Sequence, residues 1–174
     1  MKKIAMLLAL ALAVGCVLGG CAKTEAPAAN VANPMVESDA DTILQELGFT
    51  FGVPEGAEEV KYFIIDKALA EMQFTLDGVK YNARIQSAAE FTDISGVHGE
   101  PLAEESANLF DGRGDTLVRR YKDAERNLTT DVMLWFDVVP GVQYCLTAEA
   151  ADLDGFDIQA IAEVVFIPTQ GEVG

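Results

Sequence analysis

The chain has 174 residues, half of them apolar, with 28 acidic and 12 basic side chains and a formal charge of −16. So acidic a balance repels nucleic acid and anionic headgroups, which excludes a nucleic-acid partner and a polybasic membrane patch. The length suits one domain that buries enough surface to fold without disulfides or a structural metal.

The N-terminus is the first element. Lys2 and Lys3 lead into an apolar run from Ile4 to Leu18, which closes on Leu18-Gly19-Gly20-Cys21. A charged start, an apolar stretch and small residues before a cut have the form of a secretory signal over residues 1–20. A spanning helix would want about 20 apolar residues, and this run is near the lower limit and is broken by Gly15, Gly19 and Gly20, so a plain membrane anchor is the weaker alternative. Leu18-Gly19-Gly20-Cys21 resembles the lipobox of bacterial lipoproteins. The resemblance implies cleavage between Gly20 and Cys21, a diacylglyceryl thioether on Cys21 with acyl chains such as palmitate, and localisation at the cell membrane, lipid-anchored on its extracytoplasmic face. Cys16 is a poorer candidate, because Ala13 stands where a large apolar residue is wanted. Loss of Lys2 and Lys3 would lower the formal charge by two, to about −18, so the acyl chains alone would hold the bilayer.

Residues 21–33 are small, polar and proline-bearing and read as a flexible tether. A single domain follows over residues 34–168, with 169–174 as a disordered tail. Ser38 has the form of a helix cap, with acidic Asp41 three residues on. Ile43, Leu44 and Leu47 share one face of that short helix and Gly48 ends it. The period then changes to two. Glu59–Asp66 is one strand and Leu69–Leu76 the next. Asp77-Gly78 is a strong hairpin signal, because both central positions of the turn need positive φ. The return strand puts Val79, Tyr81, Ala83 and Ile85 on one face and Lys80, Asn82, Arg84 and Gln86 on the other, the pattern of an antiparallel sheet with one wet face.

Ser87–Glu105 is irregular and reads as a loop. Strand signals resume at Ala107–Phe110, turn at Asp111–Gly114 and return along Thr116–Tyr121. Thr129–Val138 and Val142–Ala148 pair across Pro140-Gly141. Asp157 caps a last helix with Ile158, Ile161, Ala162 and Val165 on one face, ended by Pro168. The expected fold class is α+β: an antiparallel sheet of six or seven strands, with a short N-terminal helix and a C-terminal helix packed on one face.

Asn33-Pro34-Met35-Val36-Glu37, Leu47-Gly48-Phe49 with Val53-Pro54-Glu55-Gly56-Ala57, Gln73-Phe74-Thr75-Leu76-Asp77-Gly78 and Asp93-Ile94-Ser95-Gly96-Val97 resemble landmarks of a family of uncharacterised secreted lipoproteins of Gram-positive bacteria, a domain of unknown function. The likeness covers most of residues 33–97 and fades after that. Its motifs are turns and strands, so it implies a fold and a location but transfers no activity.

Chemistry-bearing residues are few. His98 is the only histidine, it lacks a G-x-S-x-G partner, and no second histidine completes an H-E-x-x-H site, so an exposed loop position is expected. Cys145 sits in an apolar stretch and reads as a buried small hydrophobe. Asp152, Asp154, Asp157 and Glu163 are the densest acidic group. The first and twelfth positions of a calcium loop would fall on Asp152 and Glu163, but the sixth, which needs glycine, is Asp157. Arg113-Gly114-Asp115 matches the integrin-binding tripeptide and reads as a hairpin turn. Trp135, Phe136 and Tyr144 read as core aromatics rather than a ligand pocket.

No catalytic, cofactor-binding or metal-ligating residue is therefore assigned, and Cys21 is the single candidate for modification. The expectation is a surface-tethered, non-enzymatic binding or accessory domain that takes a protein or small-molecule ligand. An envelope sensor acting through a membrane partner is the alternative.

Overall fold

The computed structural model describes residues 34–168. Cys16, the lipobox through Cys21, the tether and the C-terminal tail lie outside the described residues. Eight strands form one antiparallel sheet: β1 (Met35–Ser38), β2 (Glu58–Ile65), β3 (Leu69–Leu76), β4 (Val79–Ser87), β5 (Ala103–Ser106), β6 (Asp115–Asp123), β7 (Leu128–Asp137) and β8 (Val142–Ala150). Two helices accompany them, α1 (Ala40–Leu47) after β1 and α2 (Ile158–Val165) after β8. The strand order is β1-β2-β3-β4-β8-β7-β6-β5. Each half is thus a four-strand meander, and β4 and β8 join the halves at the centre.

Alternation sorts the side chains into two layers. One face carries Ile64, Met72, Phe74, Tyr81, Ala83, Ile85, Met133, Trp135, Tyr144, Leu146 and Ala148, closed over by Ile43 of α1 and by Ile158, Ala162 and Val165 of α2. Its aromatic spine runs from Phe110 through Trp135 and Tyr144 to Phe166, with ring centroids 4.8, 4.4 and 5.0 Å apart. Trp135, Tyr144 and Phe166 are almost wholly buried, so these aromatics are core. Phe136 is also buried but points to the opposite face. The α+β class holds, as does the placing of both helices on one face.

Several sequence expectations need correction. The strands number eight, because Met35–Ser38 adds an edge strand against β2 that four residues are too few to announce by alternation. The cap of α1 is Asp39 rather than Ser38: its carboxylate accepts the Thr42 amide at 2.8 Å, and a carboxylate meets the orphan N–H groups as well as a hydroxyl does. The strand before β6 is Ala103–Ser106, not Ala107–Phe110; Phe110–Gly112 is a single 3₁₀ turn. Apolar Leu109 and Phe110 mimic a strand because they are drawn into the core beneath Trp135. The Asp77-Gly78 hairpin, the Pro140-Gly141 hairpin and the Asp157 cap stand where they were expected.

The Arg113-Gly114-Asp115 tripeptide is built into the sheet. Arg113 Nε lies 2.8 Å from Oδ2 of buried Asp137, the Arg113 carbonyl accepts the Trp135 indole N–H, and Asp115 opens β6 opposite Phe136. Gly114 has φ +85°, and a Cβ there would overlap the Phe136 carbonyl oxygen. The tripeptide is a structural turn.

Candidate functional site

The second face of the sheet is not simply wet. Residues 88–102, between β4 and β5, cross it as a strap and close a smaller core. Ile94 packs there on Val132, Leu134 and Cys145, with Phe91, Val97, Leu117 and Tyr121 around them. The apolar residues of β6, β7 and β8 that point away from the helices are thereby covered.

Polar groups lock the strap down. Glu71 and Arg84 are direct partners across β3 and β4. Glu71 is only 1% exposed and accepts from Arg84 Nε at 2.6 Å and from Gln73 Nε2 at 2.5 Å. Arg84 Nη1 reaches over to donate to the carbonyls of Ile94 and Ser95, at 2.9 and 2.8 Å. Asp93 accepts the amide and hydroxyl of Ser95 through Oδ1, and through Oδ2 it accepts Arg119 Nη1 at 2.8 Å. Fully buried Gln143 accepts the Thr92 amide at 3.0 Å and donates to the carbonyls of Trp135 and Tyr144. Gly96 has φ +70°, and a Cβ there would lie 2.9 Å from Arg84 Nη1, so only glycine lets the guanidinium sit against the strap.

Beyond the strap the same face opens into a polar groove of about 640 Å³. Its floor is two cross-strand rows. Lys80, Glu149, Thr130 and Tyr121 are successive partners across β4, β8, β7 and β6, and Asn82 pairs with Thr147 beside them. Residues 96–100 of the strap form one wall, and Arg126, 3.7 Å from Glu149, stands on the other. Amide, hydroxyl, ammonium and carboxylate groups thus converge on one preformed surface, able to hold a polar ligand by hydrogen bonds from several sides.

The other sequence candidates separate. His98 is exposed on the strap, at the rim of this groove. Among the acidic group, Asp157 accepts the Gln159 and Ala160 amides, Asp152 accepts the Asp154 amide, Asp154 lies 3.6 Å from Arg120, and Glu163 accepts from Gln159. Among the described residues, no three His, Cys, Asp or Glu side chains converge as metal ligands. Sequence reading placed Arg84 on the wet face but missed the latch. The signal was there: a two-residue turn at Asp77-Gly78 sets Glu71 opposite Arg84.

Cys145 lies under the strap, and burial pushes its thiol well above the usual range. It is expected to resist an aromatic disulfide reagent at pH 8 in the folded protein and to react fully in urea, measured against Cys145→Ala by the absorbance of the released thiolate. A thiol whose pKa is raised by folding stabilises below its unfolded value, about 8.5. That contribution is lost as the pH rises past it.

No protein family, curated protein or solved structure matches this chain.

Proposed function

We propose that this chain is a lipid-anchored extracytoplasmic binding protein, held in the cell membrane through Cys21, whose tethered domain takes a polar ligand non-enzymatically in the groove beside the strap. The observation supporting binding is that the groove is preformed. Its wall is held by charge-assisted hydrogen bonds from Arg84 and Arg119, so little ordering is left for a ligand to impose. The location rests on the Leu18-Gly19-Gly20-Cys21 pattern.

Intact-cell cross-linking tests the binding reading. A photoreactive residue at Thr130, on the groove floor, is expected to give a discrete adduct, and one at exposed Val164 of α2 is expected to give none. A single stoichiometric transmembrane protein in the Thr130 adduct would favour a sensor acting through a membrane partner. Equal capture at both positions would remove the groove from consideration.

The anchor has its own test. Cys21→Ser is expected to leave an unacylated precursor, whereas Cys16→Ser is processed normally. Metabolic labelling with an alkyne fatty acid, read with gel mobility, distinguishes the two. Equal acylation of both variants would contradict the lipobox reading.

A further inference from the structure

The polar surface of the second face is longer than the groove beside the strap. A cleft of about 210 Å³ along β3 shares Lys80 and Asn82 with that groove and carries its floor on to Gln73 and Thr75. In the strand register, Thr75, Lys80, Glu149, Thr130 and Tyr121 form one row across β3, β4, β8, β7 and β6. Gln73, Asn82 and Thr147 form a second row beside it. At the usual spacing of strands in a sheet, the longer row makes a strip about 19 Å long.

The hydrogen-bonding groups along the strip are mostly uncommitted. The side chains of Thr75, Asn82, Thr130 and Thr147 make no hydrogen bond to another described residue, and of the Gln73 amide only the nitrogen is engaged, by Glu71. Thr147 is 7% exposed and lines the groove, so a nearly buried hydroxyl there has no protein partner. Leaving such a group unpaired is costly, and a ligand that meets it removes the cost. An amide or a hydroxyl both donates and accepts, whereas a carboxylate, a phosphate or an ammonium does only one. These four side chains in two adjacent rows therefore match a ligand whose own groups do both, as sugar hydroxyls do.

Charge points the same way. Glu71 neutralises Arg84, and Glu149 lies against Arg126. Of the other charges lining the strip, Lys61, Lys80 and Lys122 are matched by Glu59, Glu100 and Asp123. Glu58 and Asp77 flank its β3 end, so an anion gains nothing from the local field. Lys80, which has no ion pair among the described residues, opposes a cation on the floor. Tyr121, half-buried at the β6 end, brings an aromatic ring whose electron-rich face suits the C–H face of a sugar ring.

We propose that the strip binds an uncharged oligosaccharide of several sugar units, laid across β3, β4, β8, β7 and β6, with Asn82, Thr130 and Thr147 as its principal hydrogen-bonding residues. The proposal rests on the binding reading of the groove and gives its ligand a chemical class.

The test titrates the nitrogen-15-labelled full chain, in micelles of a detergent without a sugar headgroup, with cellotetraose, tetra-N-acetylchitotetraose, maltotetraose and mannotetraose. At least one is expected to shift the side-chain amide of Asn82 and the backbone amides of Thr130 and Thr147, and to bind about tenfold tighter than its disaccharide. Asn82→Ala and Thr147→Val are each expected to weaken that tetrasaccharide by about fivefold, while resonances away from the strip stay in place and show the fold intact. If no tetrasaccharide shifts the strip at millimolar concentration, or if both variants bind like the parent, the oligosaccharide assignment is overturned. A response to tetra-alanine or tetraglutamate in place of the sugars overturns it too. In each of those cases a discrete photoadduct from Thr130 leaves the binding reading standing, and loss of that adduct removes both.

Discussion

Arg84→Ala is expected to lower the unfolding free energy by about 3–5 kcal/mol, because it strands Glu71 as a buried carboxylate without its cation. Glu71 is 1% exposed, and among the described residues Gln73 is its other hydrogen-bond donor. The same substitution frees the carbonyls of Ile94 and Ser95, so the strap also loses a clamp over the second core. Urea unfolding, followed through the fluorescence of the single tryptophan, measures the loss. A change below about 1 kcal/mol would place the pair among weak surface interactions. Arg84→Met combined with Glu71→Leu separates the two effects. It removes the buried charge, so most of the first loss is recovered, while the strap remains unclamped and gains cleavage by protease within residues 88–102. For the groove, the expected consequence is a wall that no longer holds its shape, and with it weaker capture at Thr130.

Trp135→Ala is the second large expectation, at about 3–5 kcal/mol for a fully buried aromatic cut to a methyl group. Trp135 stacks on Tyr144, tilts against Phe110, and donates its indole N–H to the Arg113 carbonyl. It thus joins the central strands to the turn that carries Gly114 and the Arg113–Asp137 ion pair. Trp135→Phe keeps much of the buried area and loses chiefly the hydrogen bond, so its cost is expected near 1 kcal/mol, with some cavity penalty added. Far-UV circular dichroism in urea compares the two, since both variants lack the fluorescence probe. Domains of this kind are stable by about 5–15 kcal/mol, so either large substitution removes a substantial share of the total. Equal losses for the alanine and phenylalanine variants would mean that the indole hydrogen bond, not the packing, carries the effect.

Much of the fold was legible because its strongest signals are local. The alternation in Leu69–Leu76 and Val79–Ser87, with Asp77-Gly78 between them, specifies a hairpin and its register without reference to the rest of the chain. Asp157 before an apolar stripe specifies the last helix in the same way. The misreadings share a cause. Met35–Ser38 and Ala103–Ser106 are short, exposed edge strands, and their pairing comes from β2 and β6, not from any pattern of their own. Leu109 and Phe110 carry a strand-like pattern, but the core beneath Trp135 takes them as a turn.

The site divides along the same line. Lys80, Asn82 and Arg84 were readable as polar residues on one face, since period-two alternation needs only neighbouring residues. That Ser87–Glu105 runs mostly as a strap across that face, burying Cys145 and leaving a groove beyond it, was not readable. Arg84 to Ile94 and Ser95, Arg119 to Asp93, and Gln143 to Thr92 link segments 10 to 51 residues apart.

By itself, then, the sequence determined the acidic balance, the α+β class, the central hairpins and the lipobox pattern at Cys21, because composition, periodicity and turn chemistry are properties of short stretches. Only the tertiary structure decided that two four-strand meanders meet at β4 and β8, that the irregular segment is a clamp, and that the groove floor draws its residues from β4, β8, β7 and β6. Those are consequences of long-range pairing and of which buried charge finds which partner, and no local pattern encodes them.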